Sequence, residues 1–179
     1  MFLGVDKLLE LVHSKKLVEN LSERELTNPE GTGFDLRLGE VFTTSGKGYL
    51  GITDRETAPV TSLKAYNPNN IQSIVIKPGD FYLIKTIETV NVPDNLVGIL
   101  KPRSTMHRMG LFVRTTQISP GYSGELTFAL KNEGPVEVKS DLGARIAHVM
   151  FAQVLGKTAL YRGQWQGGRV TTKKREKQV

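Results

Sequence analysis

The sequence predicts an all-β fold, a sandwich, jelly roll or barrel behind one short N-terminal helix. Three observations carry this. From Gln72 onward short apolar segments recur with turn signals every ~8 to 12 residues. Helical periodicity is confined to the start of the chain, and no βαβ rhythm, P-loop or dinucleotide-binding pattern interrupts the strands. With 179 residues the chain is long enough for one well-buried domain and too short for two comfortable ones.

Taken in order, Asp6 is placed to cap a helix, because Leu8, Leu9 and Val12 recur behind it at helical spacing. Gly31, Gly33 and Gly39 bracket Phe34-Asp35-Leu36-Arg37-Leu38, an alternating segment that reads as a strand. Residues 46–70, rich in Gly, Thr, Pro and Asn, read as loop with one or two short strands. Ser73 to Ile76, Pro78-Gly79-Asp80 and Phe81 to Ile84 read as strand, turn and strand. Val90 to Pro93 leads into a further turn. Leu96 to Leu100, Leu111 to Ile118, Glu125 to Lys131, Val136 to Val138 and Ile146 to Val154 complete the set. Residues 1–168 form the expected single domain, with 161–168 as an arm, and 169–179 form a basic tail expected to be flexible.

Composition narrows the function classes. Apolar residues make up 39% and charged residues 23%, as in ordinary soluble proteins, and no apolar run is long enough to cross a bilayer. The N-terminus carries no secretory pattern, and the absence of cysteine excludes disulfides, thiolate metal sites and a cysteine nucleophile. A cytoplasmic location is expected. Four basic residues against Glu176 give Lys173–Lys177 a net of +3, half of the chain's +6. The body is thus only mildly basic, which argues against a nucleic-acid-binding face.

Pro102-Arg103-Ser104-Thr105-Met106-His107-Arg108 is the densest chemical signal. Guanidinium forks match phosphate oxygens in geometry and charge, and small hydroxyls fill the remaining acceptor positions, so a polyphosphate is the first ligand to consider. A solvated basic turn is the alternative. His13, His107 and His148 are widely separated and lack metal-ligand spacing, and no nucleophile elbow is present.

Five motifs then occur in a particular order: Gly33–Gly39, Pro102–Thr105, Ile118–Glu125, Gly143–His148 and Tyr161–Gly168. In this order the chain resembles the superfamily of trimeric dUTP diphosphatases and dCTP deaminases, most nearly its archaeal-type dUTPase-like branch. The resemblance implies a distorted jelly-roll or barrel subunit, a homotrimer with shared active sites, a pyrimidine deoxynucleoside triphosphate as ligand and Mg²⁺ as cofactor. It also implies a C-terminal arm that closes over the nucleotide. Residue by residue, Arg103, Ser104, Thr105 and Arg108 match the phosphate-binding segment. Asp35 matches the carboxylate that in the diphosphatases helps hold the hydrated metal, although its residue type also fits a turn-fixing role. Thr116, Gln117 and Ile118 match the strand edge whose backbone reads the pyrimidine. Arg145 and His148 fall on the fourth motif, where glutamine is usual in place of His148, and Arg145 also reads as a plain strand charge. Tyr161, Gln164, Trp165 and Gln166 match the closing arm. Gln164 stands where deaminases commonly carry lysine, and Trp165 suits either stacking on a base or filling a gap at a subunit boundary.

Two positions depart from the family pattern. Ser119 replaces the aspartate that touches the sugar and, in the diphosphatases, helps activate water. Ala129 replaces the glutamate that shuttles protons in deaminases, and Glu125, although of the same parity, lies about 13 Å away along a strand. The expected activity is hydrolysis of dUTP to dUMP and pyrophosphate, with Ser119 and Asp35 at the catalytic positions. A member that binds nucleotide with catalysis weakened or lost is the alternative, and dCTP deamination ranks third.

Overall fold

The computed structural model describes residues 1–178. Three short helices and thirteen strands succeed one another along the described residues. They are α1 (Val5–Lys15), β1 (Val18–Glu19), α2 (Glu23–Thr27), β2 (Gly33–Thr44), β3 (Tyr49–Leu50), β4 (Asp54–Glu56), β5 (Val60–Ala65), β6 (Ser73–Ile76), β7 (Phe81–Asn91), β8 (Leu96–Pro102), α3 (Ser104–Arg108), β9 (Leu111–Arg114), β10 (Ser123–Asn132), β11 (Val138–Asp141), β12 (Arg145–Gln153) and β13 (Glu176–Lys177). The all-β expectation holds. Helix α1 begins one residue before Asp6, with Gly4 at its cap, so Asp6 acts from inside the first turn on the helix dipole rather than as the cap.

The main sheet runs β8-β12-β2-β7-β10-β9, with β1 added to β7 and β5 to β2, all antiparallel. It curls until its outer strands nearly meet. Gly98 on β8 exchanges both backbone hydrogen bonds, at 2.9 and 2.8 Å, with Ile118 just beyond β9. A barrel-like sheet results, with register shifts between Leu38 and Glu40, Val41 and Phe42, and Glu125 and Thr127 that bend its strands. The interior holds Phe34, Leu36, Leu38, Ile84, Leu130, Ile146, Val149 and Phe151, each at most 1% exposed. Phe34, Leu36 and Leu38 on β2 and Val149 and Phe151 on β12 alternate as period-2 patterning requires, while the register shift between Arg145 and Ala147 turns Ile146 inward out of phase. Gly33 is needed where β2 crosses β12, because a Cβ there would lie 1.9 Å from the Val149 carbonyl oxygen.

Two segments depart from their sequence reading. Residues 46–70 contain three strands, β3, β4 and β5, rather than one or two. The tail, expected to be flexible, lies against this segment: β13 pairs with β4, and the Gln178 amide donates to the Thr53 carbonyl at 2.7 Å. The reason is chemical. Glu176 faces two arginines, and Thr171 and Thr172 meet Thr57, so the tail has specific partners that its net charge hides. No helix among the described residues is long and apolar enough to cross a membrane.

Candidate functional site

The predicted site residues gather in two places. The first is a charge cluster built on three neighbouring strands. Asp35 on β2 pairs across the sheet with His148 on β12, and His148 in turn lies opposite Lys101 on β8, whose end carries Arg103. Asp35 is 2% exposed, and both of its oxygens are engaged. Oδ2 accepts from Arg145 Nη1 at 2.9 Å and contacts Arg103, with Arg24 3.7 Å away, while Oδ1 lies 2.9 Å from His148 Nδ1. Its backbone amide donates to Glu25 Oε2 at 3.0 Å. Asp35, Arg103, Ser104 and His148 line a shallow cavity of about 320 Å³ together with Glu30, Gly31 and Pro102.

Asp35 is thus tied into the protein's own charge cluster. Arginines grip one oxygen of this carboxylate and an imidazole meets the other. No group of three or more His, Asp or Glu side chains among the described residues is placed to hold a metal. Asp35 orients Arg103, Arg145 and His148. Thr105 and Arg108 sit with Ser104 on the single turn α3 and are exposed, outside this cavity.

Burial pushes the His148 imidazole below its ordinary pKa, with the pull of Glu25 and Glu30 opposed by Arg103 and Arg24. A neutral ring donating its Nδ1 proton to Asp35 satisfies this geometry. Because the charged form is disfavoured only in the folded state, the unfolded chain takes up the proton first on acidification. Fold stability attributable to this group is therefore complete above about pH 6.5 and declines below it. Denaturant titrations of the native chain and His148→Gln between pH 5 and 8 should show the decline in the former and a flatter profile in the latter.

The second place is a cavity of about 370 Å³. Its floor is Leu100 of β8, Leu126, Thr127 and Phe128 of β10, and the segment Thr116–Ser119. Tyr161 and Trp165 of the C-terminal arm, Arg169 of the tail and Thr57 also line it. The Pro-Gly turn that starts β10 needs its glycine, since Gly121 has φ 81°. That turn orients Tyr122, whose hydroxyl donates to the Glu125 carbonyl at 2.6 Å, and Tyr161 packs edge-on against it with centroids 5.4 Å apart. Burial, with Tyr161 adjacent, pushes the Tyr122 phenol up to about 12, so it stays protonated.

Ile118 is buried, and its backbone N–H and C=O both pair with Gly98. Thr116 and Gln117 are exposed and make no backbone–backbone hydrogen bond among the described residues. Ser119 is half-buried and lines the cavity. The arm is fastened in several places. Gln166 donates to the Gly121 carbonyl at 3.1 Å and accepts from the Ser123 amide at 3.2 Å, the Trp165 amide donates to the Tyr161 hydroxyl at 3.2 Å, and Gln164 contacts Arg55. Among the lining residues that the sequence reading did not assign to the site are Thr57, Thr127 and Arg169. Of these only Thr127 carried a signal, its alternation with Phe128 in a predicted strand. Its Oγ1 is the one buried side-chain oxygen or nitrogen without a hydrogen-bond partner among the described residues.

Comparison with known proteins fits this architecture. A family model described as dCTP deaminase-like matches residues 2–154. The chain is 31% identical over 179 residues to the dCTP deaminase of Pyrobaculum islandicum, covering 96% of this chain and 95% of that protein. It is 25% identical over 154 residues to the deoxyuridine 5'-triphosphate nucleotidohydrolase of Methanocaldococcus jannaschii, covering 86% of this chain and 95% of that one. The solved 2'-deoxycytidine 5'-triphosphate deaminase from Agrobacterium tumefaciens superimposes with a TM-score of 0.63 at 17% identity, a likeness of fold. That superposition covers 84% of this chain but only 46% of the longer one. By its matched span and its relatives, the chain belongs to the dCTP deaminase-like family, within the superfamily that also contains the dUTP diphosphatases.

Proposed function

We propose that this chain binds a pyrimidine deoxynucleoside triphosphate beneath Trp165 and hydrolyses dUTP to dUMP and pyrophosphate at a rate limited by weak water activation. The observation that carries the reading is the convergence of Thr116–Ser119 with Tyr161 and Trp165 around one cavity, which brings the third and fifth motifs together. Free backbone groups at Thr116 and Gln117 suit the edge of a pyrimidine, because uracil and cytosine present opposite donor and acceptor patterns at position 4. Ser119 suits the sugar hydroxyl. Arg103 and Ser104, backed by Asp35, suit phosphate oxygens.

Those phosphate ligands line a different cavity from the base-binding residues. In the proposed assembly, a homotrimer, one protomer's Arg103 cluster meets its neighbour's base cavity. The Mg²⁺ that accompanies a triphosphate would neutralise phosphate charge, and no residue of this chain is assigned to hold it. The arm, by covering the cavity, excludes bulk water from the reacting phosphate.

A second reading, a binding member without turnover, is favoured by the lining itself. Neither a carboxylate nor an imidazole is among the residues around the larger cavity, and the Tyr122 phenol is held protonated. Deamination is disfavoured because Ala129 offers no proton shuttle and Glu125 is not among the lining residues. Incubation with dUTP and dCTP in Mg²⁺, reading pyrophosphate and ammonia, separates the three. Slow pyrophosphate release without ammonia is expected. Thermal stabilisation by nucleotide with no product would favour the binding member, and ammonia from dCTP would refute the assignment of Ala129.

A further inference from the structure

The arm does not reach its closed position through the barrel alone. Two segments that the motifs leave unexplained, the β3–β4 hairpin and the tail after Gly168, meet directly over Trp165. The Arg55 guanidinium carbon lies 4.4 Å from the indole centroid and that of Arg169 lies 5.7 Å from it. Both distances fall within cation–π range. Glu176 joins the two arginines: Oε2 accepts from Arg169 Nη2 at 2.7 Å, and Oε1 lies 3.4 Å from Arg55 Nε and Nη2. The strand pairing of Glu176 with Arg55 fixes the register of this contact. Arg55 also contacts Gln164, next to the indole.

Behind this, Thr57 forms a hydroxyl–amide exchange with Thr172 at 3.0 and 2.8 Å, and its Oγ1 lies 2.7 Å from that of Thr171. The side chains of Arg55 and Glu176 are 16% and 18% exposed, so the group is partly withdrawn from water and only partly screened.

We infer that Arg55 and Arg169, tied together by Glu176, are positioning residues that hold the Trp165 ring over the cavity before any nucleotide is present. The inference rests on the proposed nucleotide site for its functional meaning, although the position of the ring can be read without ligand. Ordering a mobile arm on binding costs affinity, and an arm already latched avoids most of that cost. The hairpin and the tail thus supply pre-organisation from outside the five motifs.

Trp165 is the only tryptophan of the chain, so its fluorescence reports on this contact alone. The full chain is compared with Arg55→Met, Arg55→Lys and Glu176→Gln, first without nucleotide and then titrated with dUTP. Expected in Arg55→Met and Glu176→Gln are a red-shifted emission and faster acrylamide quenching in the free protein, with dUTP affinity weakened about three- to tenfold. Arg55→Lys, which keeps a cation over the ring, should recover part of both signals. An unchanged tryptophan signature in both disruptive variants would overturn the inference. So would an altered signature with dUTP affinity left at the native value. If the native chain binds no nucleotide at all, the site assignment fails, while the fluorescence comparison still decides whether the latch holds the ring.

Discussion

Replacing Ser119 with aspartate should raise pyrophosphate release from dUTP by on the order of 10²- to 10⁴-fold, the usual contribution of a general base. The serine hydroxyl is too weak an acid for its alkoxide to exist usefully at neutral pH, whereas an aspartate is ionised and can take a proton from water. The backbone needed to present it is already in place. The Ser119 carbonyl accepts from the Tyr122 amide at 3.2 Å, and Gly121 adopts the positive φ that closes the turn. Since Ser119 already lines the cavity, the gain should appear in kcat with KM little changed. Steady-state pyrophosphate release by native and Ser119→Asp chains measures this. An equal rate in the two would show that water is activated elsewhere, and the assignment of Ser119 would fall.

The largest stability effect is expected at Arg37. Glu88 on β7 is 0% exposed, and its carboxylate accepts from the Arg37 backbone amide at 2.8 Å and from Arg37 Nε at 2.6 Å. Burial pushes the Glu88 carboxyl up, and its bonds to Arg37 pull it down. Arg37→Leu removes the only cation within salt-bridge distance of this carboxylate among the described residues and should cost about 3 to 5 kcal/mol, on the order of 10 °C in Tm.

The pH dependence has a definite sign. In the variant the folded-state pKa of Glu88 lies further above its unfolded value, so the protonated form carries the fold. Stability is then greatest below the unfolded pKa and is lost as pH rises through the folded one. The penalty should therefore shrink on acidification, and Arg37→Leu with Glu88→Gln should recover much of it at neutral pH. Denaturant unfolding at pH 4.5 and 7.5 tests both statements, and a pH-independent loss would mean that packing rather than charge accounts for it.

Much of this was legible before any coordinates. Strand parity is a local property, so Ser73–Ile76 and the starts of β7, β8, β10 and β12 could be read from alternation, and the order of the five motifs pointed to the family. What could not be read was pairing. Asp35 was matched to a metal carboxylate through the resemblance alone, and its partners Arg103, Arg145 and His148 lie far along the chain, where only the sheet brings them alongside. Ile118 was matched to the base-reading edge through the resemblance, and its closing exchange with Gly98 is hidden in the sequence because it spans twenty residues of chain. The tail looked solvated because its net charge conceals the match of Glu176 to two arginines. In each case the missing information was the identity of a distant partner rather than a local preference.

The meeting of Gly98 with Ile118 has one more consequence. It is where the curled sheet fastens, and Ile118 continues directly into Ser119 at the cavity wall. Because Ile118 lines the cavity too, one residue serves both as the clasp of the barrel and as part of the chamber wall.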